Sequence, residues 1–237
     1  MVPFEKIRAR AAERKGGEDV LASLLPPTPA NEALRSLPDS RVLSTMAQRV
    51  FSAGFVWRVI EEKWPGFEEA FLHFEPKALL FQPDDFWHDL TSDKRIVRNP
   101  QKIMSVRENA AFVDRIAKEH GSFGNFLASW SADDQIGLMN VLAKQGSRLG
   151  GNTGQYVLRW LGWDTFVLSR DMVAALRDAG LDIAENPTSK KDLAKIQVQM
   201  NAWVNETGLS RAHLSRILAM SIGPNAPAEE LVRYTGD

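Results

Sequence analysis

The stretch Gly146-Ser147-Arg148-Leu149-Gly150-Gly151-Asn152-Thr153-Gly154, followed eighteen residues after Thr153 by Asp171, has the residue types and spacing for chemistry on a phosphate-linked sugar. The glycines lie between two apolar-periodic arms, 132–145 and 153–161, a pattern that predicts helix, hairpin, helix. Backbone N–H groups freed at such a turn, and at the start of the next helix, converge on a phosphate without needing much positive charge. Glycine permits the close approach because no Cβ intervenes. Gly146, Arg148, Gly150, Gly151, Asn152 and Thr153 are the candidate backbone-gripping residues. The plainer reading is a helix–helix connection with a glycine C-cap at Gly146, and the spacing alone leaves both open.

Asp171 closes the run Phe166-Val167-Leu168-Ser169-Arg170, apolar and then polar, and leads into Met172-Val173-Ala174-Ala175-Leu176. An Asp in a first helical turn commonly caps free N–H groups, and the same setting keeps it ionised. An ionised carboxylate beside a sugar stabilises an oxocarbenium-like transition state or orients an attacking water. The aromatics are a third feature, with seven Trp and twelve Phe in the chain. Phe51, Phe55, Trp57, Trp64 and Phe67 fall in one stretch, with Phe86 and Trp87 soon after. Most are expected in the core, while Phe55 and Trp57 are the candidates for stacking on an extruded base. The four histidines show no metal-ligand spacing and there is no cysteine, so no disulfide, thiolate site, metal or other cofactor is expected.

These residues need a frame. At 237 residues, 44% hydrophobic and 25% charged, the chain has the composition of one or two globular domains with a sizeable core. No apolar run reaches eighteen residues, and the N-terminal Phe4-Glu5-Lys6-Ile7-Arg8 is charged where a signal peptide is apolar, so a cytoplasmic monomer is expected. A formal net charge of −1 argues against holding nucleic acid by bulk electrostatics. Two local clusters stand out: Lys144, Arg148, Arg159 and Arg170 against the single acid Asp164, and Lys94, Arg95, Arg98, Lys102 and Arg107 with no acid between them. Each is either a solvated face or a nucleic-acid footprint.

The pattern reads as helical almost throughout. Helix-favouring residues fill 4–16, a short apolar stretch covers 19–25, and Pro26-Pro27-Thr28-Pro29 marks a linker. Residues 1–38 therefore read as a helical extension and linker, and 39–237 as the main domain. Asp39-Ser40 is expected to cap a helix through Val50, interrupted at Gly54 before 55–64 resumes. The longest helix is expected from Pro100 to Glu119, with Pro first and Gly121 just past its end. Ser122 and Ser131 are expected caps, and later helices cover 190–206 and 210–219. No alternating strand pattern emerges, so the fold class is all-α.

Taken together, Asp39 to Gly180 resembles the DNA-3-methyladenine glycosylase I family of the helix-hairpin-helix glycosylase superfamily. The similar stretches are Ala53-Gly54-Phe55-Val56-Trp57, Phe71-Leu72-His73-Phe74-Glu75-Pro76, Arg95-Ile96-Val97-Arg98-Asn99-Pro100-Gln101-Lys102-Ile103, a long helix containing Asn109-Ala110, and the hairpin 146–153 with Tyr156 beyond it. The resemblance implies two helical halves flanking a cleft and a monofunctional glycosylase that flips an alkylated, 3-methyladenine-like base out of duplex DNA in base excision repair. It implies a base pocket at Gln48, Arg49, Phe55 and Trp57. Val167-Leu168-Ser169-Arg170-Asp171 resembles the segment bearing the catalytic Asp elsewhere in the superfamily, which implies that role for Asp171. Two departures stand out. The family's Cys/His zinc has no cysteine to hold it here. The glutamate that recognises 3-methyladenine, eight residues before the Trp, is replaced by Arg49, with Gln48 beside it, and Arg49 would repel a cationic base. No lysine stands out as a Schiff-base nucleophile. The rival readings are a non-catalytic binder of DNA lesions or DNA structures with the same fold, and an all-helical interaction protein with no role on DNA.

Overall fold

In a computed structural model of the protein, residues 1–27, 31–54 and 56–227 are described. Thr28 and Pro29 of the expected linker, and the pocket candidate Phe55, lie outside them. The helices run α1 Phe4–Lys15, α2 Glu18–Ser23, α3 Asn31–Arg35, α4 Asp39–Ser52, α5 Trp57–Ala70, a 3-10 turn Leu72–Phe74, α6 Pro76–Leu80, α7 Asp84–Leu90, α8 Pro100–His120, α9 Phe123–Ser129, α10 Gln135–Gln145, α11 Gly151–Trp160, α12 Arg170–Asp178, α13 Lys190–Thr207 and α14 Arg211–Met220. No strand occurs among the described residues, so the all-α expectation holds. No helix among them is long and apolar enough to cross a membrane.

Local capping chemistry explains most of these boundaries. The Asn99 side chain accepts from the Lys102 N–H at the start of α8, Pro100 occupies the first helical position, and Gly121 ends the helix at φ 85°. Ser122, Ser189 and Ser210 cap α9, α13 and α14 in the same way. Two expected caps differ. Asp39 is already helical and caps nothing in α4; its carboxylate accepts from the Phe123 N–H at 2.8 Å, joining the starts of α4 and α9. Ser131 stands four residues ahead of α10 and opens a turn, its carbonyl accepting from Asp134 N–H at 3.0 Å.

The chain divides into two compact units. One comprises Ala30–Trp130 and Gly137–Trp163. Here α4 packs along α8 in the opposite direction, because Lys102 near the start of α8 reaches the last carbonyls of α4. An aromatic column fills part of the core. Trp64 stacks on Phe74 at 5.4 Å, Phe71 on Phe74 at 5.5 Å, and Phe51 meets Phe67 edge-on at 4.7 Å. To place Phe71 and Phe74 in this column the chain turns left-handed through Leu72, His73 and Phe74, with φ of 51°, 54° and 57°. Each such residue costs about 1–2 kcal/mol, offset by full burial of the two phenylalanines, each worth about 1.5–3 kcal/mol.

This unit also pairs two members of one basic cluster. Arg95 pairs with neighbouring Asp93 and with Glu69, and Arg107 with Asp84, so two acids absent from 94–107 arrive from elsewhere in the fold. Hydrogen bonds from Arg95 hold the Asp93 carboxyl below the ordinary carboxylate range.

The other unit comprises Met1–Pro29, Ser131–Ile136 and Asp164–Asp237. Phe4 and Ile7 of α1 join Leu21, Leu24, Leu176, Met200, Trp203 and Ile217 in its core, with Phe4 and Trp203 rings 5.3 Å apart. The segment 131–136 is held by side chains: Gln197 accepts from Ile136 N–H at 2.7 Å and Asn201 donates to the Asp133 carbonyl at 2.8 Å. Arg211, 3% exposed, closes the arrangement by donating to Asn201, Asp133 and Asp164. Asp164 in turn accepts from the N–H groups of Arg211 and Ala212, both at 3.0 Å, so this acid serves the start of α14.

Candidate nucleic-acid interface and base-recognition residues

The hairpin forms as the glycine pattern predicts, and its glycines divide into two kinds. A Cβ on Gly146 would stand 2.5 Å from Leu149 Cδ1 and 2.9 Å from the Leu142 carbonyl, and one on Gly154 would stand 2.3 Å from the Leu149 carbonyl. These two glycines let α10 and α11 close on Leu149, and the Gly146 N–H is taken by Leu142 at 3.0 Å. Gly150 and Gly151 are exposed. Around a Cβ on Gly150 only Ala143 Cβ comes within 4 Å, at 3.8 Å, and around one on Gly151, whose φ is +57°, nothing does. Gly150 provides no side-chain cap to α11, and the N–H groups of Gly151, Asn152 and Thr153 have no intrahelical acceptor and no partner among the described residues.

What holds the turn in place is a residue 38 positions upstream. Asn109 of α8, 1% exposed, accepts from Ser147 N–H at 2.7 Å and donates to the Ser147 carbonyl at 3.0 Å. Next to this clamp Arg148 sits in the left-handed region at φ 60°, exposed, with its guanidinium donating to Gln101. A non-glycine residue held there costs on the order of 1–3 kcal/mol and persists only where its surroundings impose it.

Arg49 and Gln48 lie on the last turns of α4, which packs against α11. The Arg49 guanidinium carbon lies 4.5 Å from the Tyr156 ring centre and 4.5 Å from that of Trp160. Those rings share a face of α11 because they are four residues apart. The buried Nε of Arg49 has no acceptor, and the side chain makes no ion pair among the described residues. Burial lowers the guanidinium's pKa, and Tyr156 partly opposes the shift. Gln48 is half-buried, its carbonyl accepting from Ser52 Oγ at 2.7 Å.

Trp57 opens α5 and is 44% exposed, in a run with exposed Val56 and Val59. The turn that carries it is anchored by Lys102, whose place in a basic cluster pointed to a solvated face or a nucleic-acid footprint and not to a buried anchor. Lys102 is 7% exposed, and its amine donates to the Phe51 and Ala53 carbonyls at 3.1 and 2.6 Å. Burial, then the charge of Arg148, lowers its pKa. The structure thus brings Arg49 to Tyr156 and Trp160, and Lys102 to the root of the Trp57 turn.

Asp171 belongs to the other unit and is half-buried in the first turn of α12. The cap of that helix is Ser169, whose hydroxyl accepts from Met172 N–H at 3.2 Å. The Asp171 carboxylate makes no hydrogen bond or ion pair among the described residues. The strand-like lead-in is satisfied by side chains: Gln135, fully buried, exchanges two 2.8 Å hydrogen bonds with the Phe166 backbone, and Ser215 accepts from Val167 N–H at 3.0 Å. The carboxylate lies against Gly223, where a Cβ would meet Asp171 Oδ1 at 2.7 Å, and Gly223 itself has φ +76°. A side chain at that position would displace the carboxylate from where it lies and would be strained by the positive φ. No sequence signal tied Gly223 to Asp171.

A cavity of about 360 Å³ lies at the opposite end of α4 and α8 from Arg49 and Lys102, lined by Asp39, Glu75, Lys77, Asp114 and Lys118 among others, and touches none of the candidate residues. No group of three or more His, Asp or Glu side chains suited to a metal occurs among the described residues.

Residues 35–146, just under half of the chain, match the model of the methyladenine glycosylase family. The resemblance read from the sequence therefore holds across α4 to α10, and the match supports a DNA glycosylase role. No curated protein matches the chain. Among solved structures, 3-methyladenine DNA glycosylase I from Staphylococcus aureus is similar at 23% identity and TM-score 0.48, over 59% of this chain and 81% of its own. An 8-oxoguanine glycosylase/lyase from Methanocaldococcus jannaschii, solved with DNA containing 8-oxoguanine, is similar at 13% identity and TM-score 0.49, over 90% of this chain and 95% of its own.

Proposed function

We propose that the protein is a monofunctional DNA glycosylase of base excision repair that binds duplex DNA as a monomer and removes a damaged base. Alkylated bases of the 3-methyladenine kind are the class the family match supports. The observation that carries the reading is the hairpin: a buried Asn109 clamp holds a turn that leads into a ten-residue helix whose first three N–H groups have no partner among the described residues. Those donors and the helix dipole bind a DNA phosphate without requiring a basic protein, consistent with a net charge of −1. Exposed Trp57 offers an aromatic face for a nucleotide rotated out of the stack.

In the reaction the bond from the base nitrogen to C1′ breaks and the base leaves with the electron pair. Water adds its oxygen to C1′ and gives up a proton to solvent, and a base that leaves as an anion takes one up. Positive charge builds on the sugar as the base departs, so an ionised carboxylate stabilises the transition state more than the ground state. Asp171 suits that role because Ser169 does the capping and nothing among the described residues occupies its carboxylate. Water is the nucleophile in this reading. Lys102, the lysine built into the Arg49 region, has its amine committed to two carbonyls.

The test is single-turnover base release from duplexes carrying methylated or otherwise damaged bases, by wild type and Asp171→Asn at equal DNA occupancy. Release is expected to fall about a hundredfold or more, the scale of losing one electrostatic stabiliser, with little change in affinity for abasic-site duplex. Equal rates would remove Asp171 from the mechanism. No release of any base by wild type, with abasic-site binding retained, would make the protein a non-catalytic lesion binder.

A further inference from the structure

We infer that Arg49 is a specificity-determining residue that selects an uncharged base presenting a carbonyl oxygen, and that a cationic base such as 3-methyladenine is a poor substrate. The inference rests on the glycosylase reading and departs from the alkylated, 3-methyladenine-like class that the family match favours. An arginine inside a protein normally meets a carboxylate or several carbonyls, because leaving its N–H donors unanswered is costly. Arg49 meets two ring faces, and no hydrogen-bond acceptor among the described residues. Rings hold a guanidinium's plane while leaving its edge, where the N–H groups point, to be filled from outside the protein.

Position and chemistry then name the occupant. Tyr156 and Trp160 stand on α11 about 4.5 and 10.5 Å along the axis from Thr153, at 1.5 Å per residue. Arg49 is therefore one to two turns from the N–H groups proposed to hold a phosphate, a span on the scale of one nucleotide. The fork of a guanidinium pairs with two acceptors on one edge, as the carbonyl oxygen and N7 of hypoxanthine provide, or donates to a carbonyl oxygen alone, as in 8-oxoguanine, whose N7 carries a proton. Exposed Arg148 is placed for backbone phosphates, whereas Arg49 is half-buried between aromatics, the setting for a base. A ring bearing positive charge meets an uncompensated cation there and is repelled. An uncharged ring without a carbonyl offers ring nitrogens alone and leaves part of the fork unmet.

The experiment measures single-turnover release from duplexes each carrying one hypoxanthine, one 8-oxoguanine, one 1,N6-ethenoadenine or one 3-methyladenine, with binding to abasic-site duplex followed in parallel. Wild type is expected to release hypoxanthine or 8-oxoguanine at least about tenfold faster than 3-methyladenine and ethenoadenine, since sites built on a hydrogen bond reject analogues that lack it. Arg49→Glu is expected to reverse the order of the carbonyl-bearing bases and 3-methyladenine, and Arg49→Lys, which keeps the charge and loses the fork, to narrow the gap. Abasic-site affinity unchanged within about twofold in both variants identifies folded protein, and the wild-type order is informative without either variant. Equal or faster release of 3-methyladenine by wild type would overturn the inference and leave the glycosylase reading intact. Absence of release from every duplex would overturn both.

Discussion

Two arginines, one in each unit, are withdrawn from water by opposite means. Arg211 is 3% exposed, and its donors are answered by Asn201, Asp133 and Asp164, two of them carboxylates. Arg49 is held between Tyr156 and Trp160, with its Nε buried and unanswered among the described residues. The first arrangement is complete within the protein and ties three stretches of chain together, 131–136, 164 and α13–α14. The second has no acceptor among the described residues, the gap that the proposed base would fill. Burial alone therefore says little about what a charge is for. The state of its donors does.

The largest effect expected from this contrast is on stability. Arg211→Leu should lower the unfolding free energy by about 3 kcal/mol, the scale for removing one partner from a buried ion pair, with the exposure of Asp133 keeping it at the low end. Urea denaturation measures it, and a loss below about 1 kcal/mol would erase the distinction between the two arginines. Asn109→Ala comes next. It strands the Ser147 N–H and carbonyl and should cost about 2 kcal/mol, with weaker binding to every duplex because the hairpin loses its anchor. Full stability in that variant would mean that Gly146 and Gly154 packing suffices to hold the turn.

A smaller effect is expected at the exposed glycines. Gly150→Val puts a branched side chain in front of the first N–H groups of α11 with only Ala143 nearby, so folding should lose no more than about 1 kcal/mol, the cost of a poorer N-cap. Affinity for duplex, damaged or intact, should fall about fivefold, near 1 kcal/mol for one lost contact, and fluorescence anisotropy reads it directly. Unchanged affinity would take the hairpin out of DNA binding. Smallest of all, Arg49→Leu should alter stability by no more than about 1 kcal/mol, because two ring contacts are exchanged for apolar packing. A loss as large as that for Arg211 would show that Arg49 is a structural brace.

Much of the frame was legible in order along the chain. Pro100, Gly121 and Ser122 mark real helix ends, since a cap acts on N–H groups two or three residues away and its signal is local. Where a cap candidate found a better partner across the fold, the local signal misled. Asp39 serves Phe123, and Ser131 serves a turn ahead of α10. The candidate site was legible in kind and not in detail. Glycines 146 to 154 announced a hairpin, yet nothing local separated Gly146 and Gly154, which pack, from Gly150 and Gly151, which stay open.

The sequence by itself determined an all-helical protein with a glycine hairpin and an acidic residue at the start of a later helix, because helix periodicity, capping and turn chemistry act over a few residues. Only the tertiary structure decided which charges are spent and which remain. It brought Glu69 and Asp84 to Arg95 and Arg107, sank Lys102 onto the end of α4, clamped the hairpin with Asn109, and set Arg49 between two rings. It also gave the capping role at α12 to Ser169 and placed the Asp171 carboxylate against Gly223. Coulomb attraction and hydrogen bonding depend on separation in space, and separations of 23 to 111 residues along the chain become contacts only when the helices pack.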